Sequence, residues 1–394
     1  MQTEPLLIGI DGGATKVSAW EIVYNKLNST FSLGKANSAK SYREISGYIH
    51  DFKPVDINIQ LNERDSKVNC TAKERQQAAV YVEACAHTIQ EIVKKTGCSS
   101  VLIGLGMPGL KTEDKRGIAV VANGPRMFDY SDMLEKRLKS LGISLASPVH
   151  HLGSDADYCG IGENYSEEGL FRNSSNAYYL GGGTGVADAM KLDVKIVTFD
   201  NAKDWMAKTW EMKSPEGLSL ERVTSVSGIQ NTYAEFAGKS TEDLNSKGIY
   251  PLQIADMAKE GNNAALKTYE IVNQNLANLL YERIVTLNKG WQNLFGFVNP
   301  NKPELNQKHT HIGKVFDTII IGQRLGDLFD YETGADIVKR PILSRLNDLI
   351  QNSDTLPDDV KLHYKDLNKI IKTSKLREAP ALGAGIDAFL TNNA

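Results

Sequence analysis

The chain has 394 residues, with 45 basic and 48 acidic side chains and a formal net charge of −3. That length exceeds what one ordinary hydrophobic core holds, so two domains are expected. The near-balance of charge excludes a general nucleic-acid binder, which needs a basic excess, and no apolar run reaches the ~20 residues required to cross a bilayer.

The first ten residues, MQTEPLLIGI, have no basic region ahead of a long apolar core and do not read as a secretory signal. Residues 6–34 predict two or three strands, LLIGID, KVSAWEIVY and TFSLGKA. Between the first two lies Asp11-Gly12-Gly13-Ala14-Thr15-Lys16. The glycines allow a sharp turn and let backbone N–H groups approach an anion. Thr15 adds a hydroxyl donor, and Asp11 offers a carboxylate to a hydrated Mg²⁺, which keeps most of its waters. These parts suit the terminal phosphates of a nucleotide, although no GxxxxGK[ST] P-loop is present. The plainer alternative is a hairpin turn.

Residues 35–73 are polar and irregular, which reads as an inserted lobe or a mobile flap. Residues 74–97 carry apolar side chains at helical spacing and stop at Lys-Lys-Thr-Gly. A buried strand, SSVLIGLG, then meets a turn at Gly106–Gly109, and a short segment leads to Asn123-Gly124, a turn or a ligand contact. SDMLEKRLKSLGI is helical, and SPVHHLGSDADYCGIGE passes from strand to helix. Asp155 and Asp157 lie at that junction. A carboxylate there can take a proton from an alcohol attacking a phosphate, or Asp155 can cap the helix. Asp155 is the favoured base. His150 and His151 have no third ligand beside them and make poor evidence for metal.

The second half repeats the opening theme. SNAYYLGGGTGVADAMKL is a strand, a Gly181–Gly185 turn around Thr184, and a second strand. Gly182, Gly183, Thr184 and Gly185 form a second candidate phosphate cradle, its alternative again a flexible hairpin. Residues 216–294 are largely helical and 297–311 a polar loop. DTIIIGQRLGDLF is a strand meeting Gly322, where an adenine could lie over a close backbone, and KLREAPALGAGIDAFL closes the chain as a helix. The four cysteines, Cys70, Cys85, Cys98 and Cys159, form no CxxC pair. They read as reduced thiols of a cytoplasmic protein rather than a disulfide or zinc framework.

Taken together, DGGATK, GMPG, SDADYCGIGE, GGGTGVA, the IIIG strand and ALGAGIDAF stand in the order found in the sugar-kinase, actin and Hsp70 superfamily. Within it the chain most resembles the ROK family of sugar kinases. The resemblance implies an α/β fold of two ribonuclease H-like (actin-like ATPase) lobes with a central cleft. The lobes are expected at 1–150, a lobe that contains the insert at about 35–73 and is joined by the C-terminal helix 380–394, and at 151–379. It implies ATP-dependent phosphorylation of a sugar or sugar-derivative hydroxyl, with Mg²⁺ at Asp11 through water and Asp155 as general base. Asp11, Gly12, Gly13, Thr15, Lys16, Gly182 to Gly185 and Gly322 would hold the nucleotide; Asn123, Gly124, Ser154 and Glu221 would contact the sugar. Ser154 stands where the family has Asn. The family's Cys-rich zinc motif and Glu-x-Gly-His clamp are missing, so no structural zinc is expected. The implied partner is a small-molecule sugar, not nucleic acid or membrane, and a homodimer is left open. The rival functions are an actin-like ATPase without a sugar acceptor and a catalytically silent sugar-binding regulator. Cluster-bearing ATPases of the first kind need cysteine ligands that the scattered cysteines do not supply. A repressor needs a DNA-binding domain that a phosphate turn opening at residue 8 is not expected to leave room for.

Overall fold

In the computed structural model, which describes residues 4–64, 68 and 70–393, the chain divides into two compact units. One is Met1–Glu167 with Glu378–Ala394; the other is Glu168–Arg377. Each is built around its own sheet and its own apolar core.

The first unit opens with β1 (Leu6–Gly12), β2 (Lys16–Asn25) and β3 (Thr30–Ser41). A short helix, α1 (Ile57–Glu63), precedes the long α2 (Ala72–Thr96). Then come β4 (Ser100–Gly106), the small ribbon β5 (Leu110–Lys111) and β6 (Ile118–Val120), α3 (Tyr130–Ser140), β7 (Ser144–Leu145), β8 (Leu152–Gly153) and α4 (Asp155–Tyr165). The sheet order is β3-β2-β1-β4-β7, with β8 also on β4. β1 runs antiparallel to β2 and parallel to β4. The start of α2 is fixed by a capping box. Thr71 accepts the Glu74 N–H at 3.1 Å and Glu74 accepts the Thr71 N–H at 3.1 Å. Its end is the left-handed Gly97, at φ 71°.

The stretch expected to be irregular from residue 35 departs from that expectation. β3 continues to Ser41, paired with β2 from Trp20↔Asn37 to Lys16↔Ser41 beyond a shift in register. An edge strand faces water along one side, so its polar sequence concealed it. Asp65–Lys67 and Asn69, also in that stretch, lie outside the described residues.

The C-terminal helix, Ala379–Asn392, lies across β1 and β4 and beside α4. Small residues set the spacing: a Cβ on Gly9 or Gly104 would run into the backbone carbonyl of Ala381 or Ala384.

The second unit contains β9 (Ala177–Gly182), β10 (Val186–Leu192), β11 (Lys195–Val197), α5 (Phe199–Ala202) and β12 (Met212–Lys213). Helices α6 (Glu221–Thr224), α7 (Val226–Ala237), α8 (Thr241–Ser246), α9 (Pro251–Lys259) and α10 (Asn263–Lys289) follow. After β13 (Gly296–Phe297) come β14 (Thr318–Gly322), α11 (Gln323–Asp330) and, further on, β15 (Ile371–Thr373). The main sheet runs β11-β10-β9-β14-β15. It has the plan of the first sheet, an antiparallel hairpin whose first strand is extended by a parallel neighbour. Arg283 on α10, fully buried, steadies the hairpin through Asp188 of β10 at 3.3 Å. Among the described residues no helix is long and apolar enough to cross a membrane, and no disulfide joins the four cysteines.

Candidate functional site

In the first unit the β1–β2 turn is closed by the Gly13 N–H, which donates to Lys16 O at 2.9 Å. Ala14, Thr15 and Lys16 are exposed at its tip. Behind the turn the rings of Tyr42 and Tyr81 stack, with centroids 3.7 Å apart and planes 16° from parallel. The Tyr42 hydroxyl donates to Gly13 O and the Tyr81 hydroxyl to Ala14 O, each at 3.1 Å. The Tyr42 N–H donates to Thr15 O, also at 3.1 Å. Burial pushes Tyr81 up to about 12 and Tyr42 well above its ordinary value, so both hydroxyls keep their protons. Neither tyrosine is signalled by the sequence. Tyr42 falls in the polar stretch, and Tyr81 occupies an apolar position of the α2 pattern.

Asp11 ends its strand beside this turn. Burial, then the carboxylates of Asp155 and Glu378, push it up to about 7, against the pull of Lys16. Glu378, just before the C-terminal helix, is a second residue the sequence did not single out. Gly12 packs so closely on Met107 that a Cβ there would displace the thioether. Asp155 is the first residue of α4 and is exposed; its Oδ1 accepts the Ala156 N–H at 2.9 Å. The N-cap is Ser154, whose hydroxyl makes no capping bond, so Asp155 does not serve as the cap. Asp157 is half-buried one residue beyond Ala156.

The Asn123–Gly124 turn leans on the same tyrosine. Gly124 is buried, and a Cβ on it would lie 3.3 Å from the Tyr81 hydroxyl, while Asn123 is exposed. The turn is gripped on both sides. The fully buried Gln60 of α1 accepts the Val121 N–H at 2.8 Å and donates to Val121 O at 3.0 Å. Arg126, buried, donates twice to Glu74, at 2.9 and 3.1 Å, and also meets Glu63. Burial works to raise Glu74, but the hydrogen bonds from Arg126 and Thr71 hold it below its ordinary value. His151 pairs with Asp387 of the C-terminal helix at 2.8 Å. Among the described residues no cluster of three His, Cys, Asp or Glu side chains could hold a metal directly. Asp155 and Glu378 nevertheless lie close enough to Asp11 for their carboxylates to raise it, with Lys16 pulling the other way. That donor set fits a hydrated Mg²⁺, which needs few protein ligands.

In the second unit the β9–β10 turn is closed by the Gly183 N–H on Gly185 O at 2.9 Å. Thr184 is exposed at its tip. Glu221, the first residue of α6, accepts the Val186 N–H at 2.9 Å and lies against Gly185. Gly322 pairs with Gly181 across β14 and β9, where the Tyr179 ring leaves no space for a Cβ. Gln323, next in line, adopts a left-handed φ of 55°, and its side chain lies against Gly181 and Gly183. The structure thus gathers Asp11–Lys16, Asn123–Gly124 and Ser154–Asp155 in the first unit, and Gly182–Gly185, Glu221 and Gly322 in the second.

No family model and no curated protein matches this sequence. Solved structures do match. A ROK family glucokinase from Streptomyces griseus, in complex with glucose and AMPPNP, has 15% identity and a TM-score of 0.59, over 98% of this chain and 99% of that one. A ROK hexokinase from Thermus thermophilus has 14% identity and a TM-score of 0.55, over 98% and 99%. A ROK family transcriptional regulator, a homologue of the E. coli MLC protein, has 12% identity and a TM-score of 0.53, over 98% of this chain and 78% of that one. The chain therefore has the α/β actin-like ATPase fold of the ROK sugar kinases.

Proposed function

We propose that the protein is an ATP-dependent kinase of a sugar or sugar-derivative hydroxyl. The observation that supports it best is the grouping of Asp11 and Asp155 beside a turn with two exposed residues, Ala14 and Thr15, whose amides can meet phosphate oxygens. The Thr15 hydroxyl would add a donor to the nucleotide's phosphates, and the Gly-rich turn around Thr184 offers backbone donors of the same kind within the second unit. Asp11 and its carboxylate neighbours would hold Mg²⁺ through water. When bound, that ion supplies charge neutralisation for the transferred phosphoryl group. Asp155 would accept the proton of the attacking hydroxyl. Asn123, Gly124 and Ser154 would orient the sugar. Glu221 would act on the sugar only with the oxygen that does not hold the Val186 amide.

The test is ATP consumption against a panel of hexoses, amino sugars, acylamino sugars and sugar acids, with product mass. Stimulation by one compound with a phosphorylated product supports the reading. Basal hydrolysis that no compound stimulates favours the ATPase. Sugar binding without nucleotide turnover favours a regulator, which the fold shared with the transcriptional regulator makes the second reading.

A further inference from the structure

We infer that Tyr42 and Tyr81 are positioning residues that orient the amides of the β1–β2 turn toward a phosphate. The inference rests on the nucleotide-binding reading of that turn. In a trans peptide the C=O and N–H point in opposite directions. The Gly13 carbonyl is tied to the Tyr42 hydroxyl, which fixes the Ala14 N–H on the far side of the same peptide. The Ala14 carbonyl is tied to the Tyr81 hydroxyl, which fixes the Thr15 N–H in the same way. Because the two rings are stacked, both carbonyls are drawn to one side. Both N–H groups are thereby turned away from the pair. Among the described residues neither amide donates a hydrogen bond within the protein.

A turn rich in glycine can flip its peptides at little cost, and a flipped carbonyl would present a negative dipole to the phosphate. The two hydroxyls prevent that. The Tyr42 N–H on Thr15 O adds a third tether. Tyr81 also lies beside Gly124, where an added Cβ would meet its hydroxyl, so one side chain borders the phosphate turn and the Asn123–Gly124 turn together.

The variants are Tyr42→Phe and Tyr81→Phe, which delete one oxygen each and keep the stacked rings. Calorimetry of the full chain with Mg²⁺ measures binding of AMPPNP, adenosine and pyrophosphate. Each variant should bind AMPPNP and pyrophosphate about 3- to 10-fold more weakly, the range one hydrogen bond supplies. Adenosine affinity should be unchanged, which a general loosening of the unit would not produce. Unchanged AMPPNP affinity in both variants, or equal losses for adenosine, overturns the inference alone. If the wild-type chain binds neither AMPPNP nor pyrophosphate, the nucleotide reading falls with it.

Discussion

Asp11→Asn tests the electrostatics of the first unit without any substrate. A carboxyl held at about 7 when folded, against an ordinary 3.8, binds its proton more tightly in the native chain. Its contribution to stability is therefore fully present below about pH 4 and is lost as the pH rises through about 7. At about 1.4 kcal/mol per tenfold change in proton activity, the rise amounts to about 4 kcal/mol above pH 7. Partial exposure of Asp11 admits water and trims that figure, so a few kcal/mol is the working value. Asparagine has the same shape and never ionises. In Mg²⁺-free buffer, urea unfolding of both proteins at about pH 5 and about pH 8.5 isolates the effect, because other titrating groups cancel in the difference. The variant should gain on the wild type by on the order of 2 kcal/mol between those pH values. An offset that is the same at both, or a variant that loses ground as pH rises, would refute the cluster of Asp11, Asp155 and Glu378 as drawn.

The other expectations concern chemistry and packing. Asp155→Ala should lower turnover by roughly 10²–10⁴ while AMPPNP binding persists, measured by single-turnover kinetics and calorimetry; turnover within twofold of wild type would remove Asp155 from the role of base. Gln60→Ala should raise the acceptor KM several-fold with the ATP KM unmoved, since it frees Val121 beside the Asn123–Gly124 turn; an unchanged acceptor KM would show that α1 does not set that turn. Gly104→Ala should cost about 3 kcal/mol or more in urea unfolding, because its Cβ meets the Ala384 carbonyl and lifts the C-terminal helix from β4. A cost below about 1 kcal/mol would mean the helix is not seated so closely.

The sequence made the strands, the long helices and both Gly-rich turns legible, because these depend on local periodicity and on glycine between apolar runs. LLIGIDGG carries its strand and its turn in eight neighbouring residues, and Gly97 marks the end of α2 by its own backbone requirement. What escaped reading was determined by contacts distant in the chain. Nothing near Tyr81 in sequence shows that its hydroxyl ends on Ala14, 67 positions away. The continuation of β3 was hidden because an edge strand can be polar, and α1 because a short helix with exposed Ile57, Ile59 and Leu61 lacks an amphipathic pattern.

The distribution of buried polar groups ties these omissions together. Gln60, Glu74, Arg126 and the two tyrosines spend hydrogen bonds on backbone turns or on each other, where apolar residues of similar size would pack at lower desolvation cost. Four of the five come from positions 42–81, and Arg126 comes from the loop they grip. Of these, only Tyr42 and Gln60 lie inside the polar stretch 35–73, with Glu74 and Tyr81 in the helix just after it, so part of the polar composition that made 35–73 look like a loose insert serves to hold the two turns in fixed conformations. A segment selected only to fill space would have no use for it.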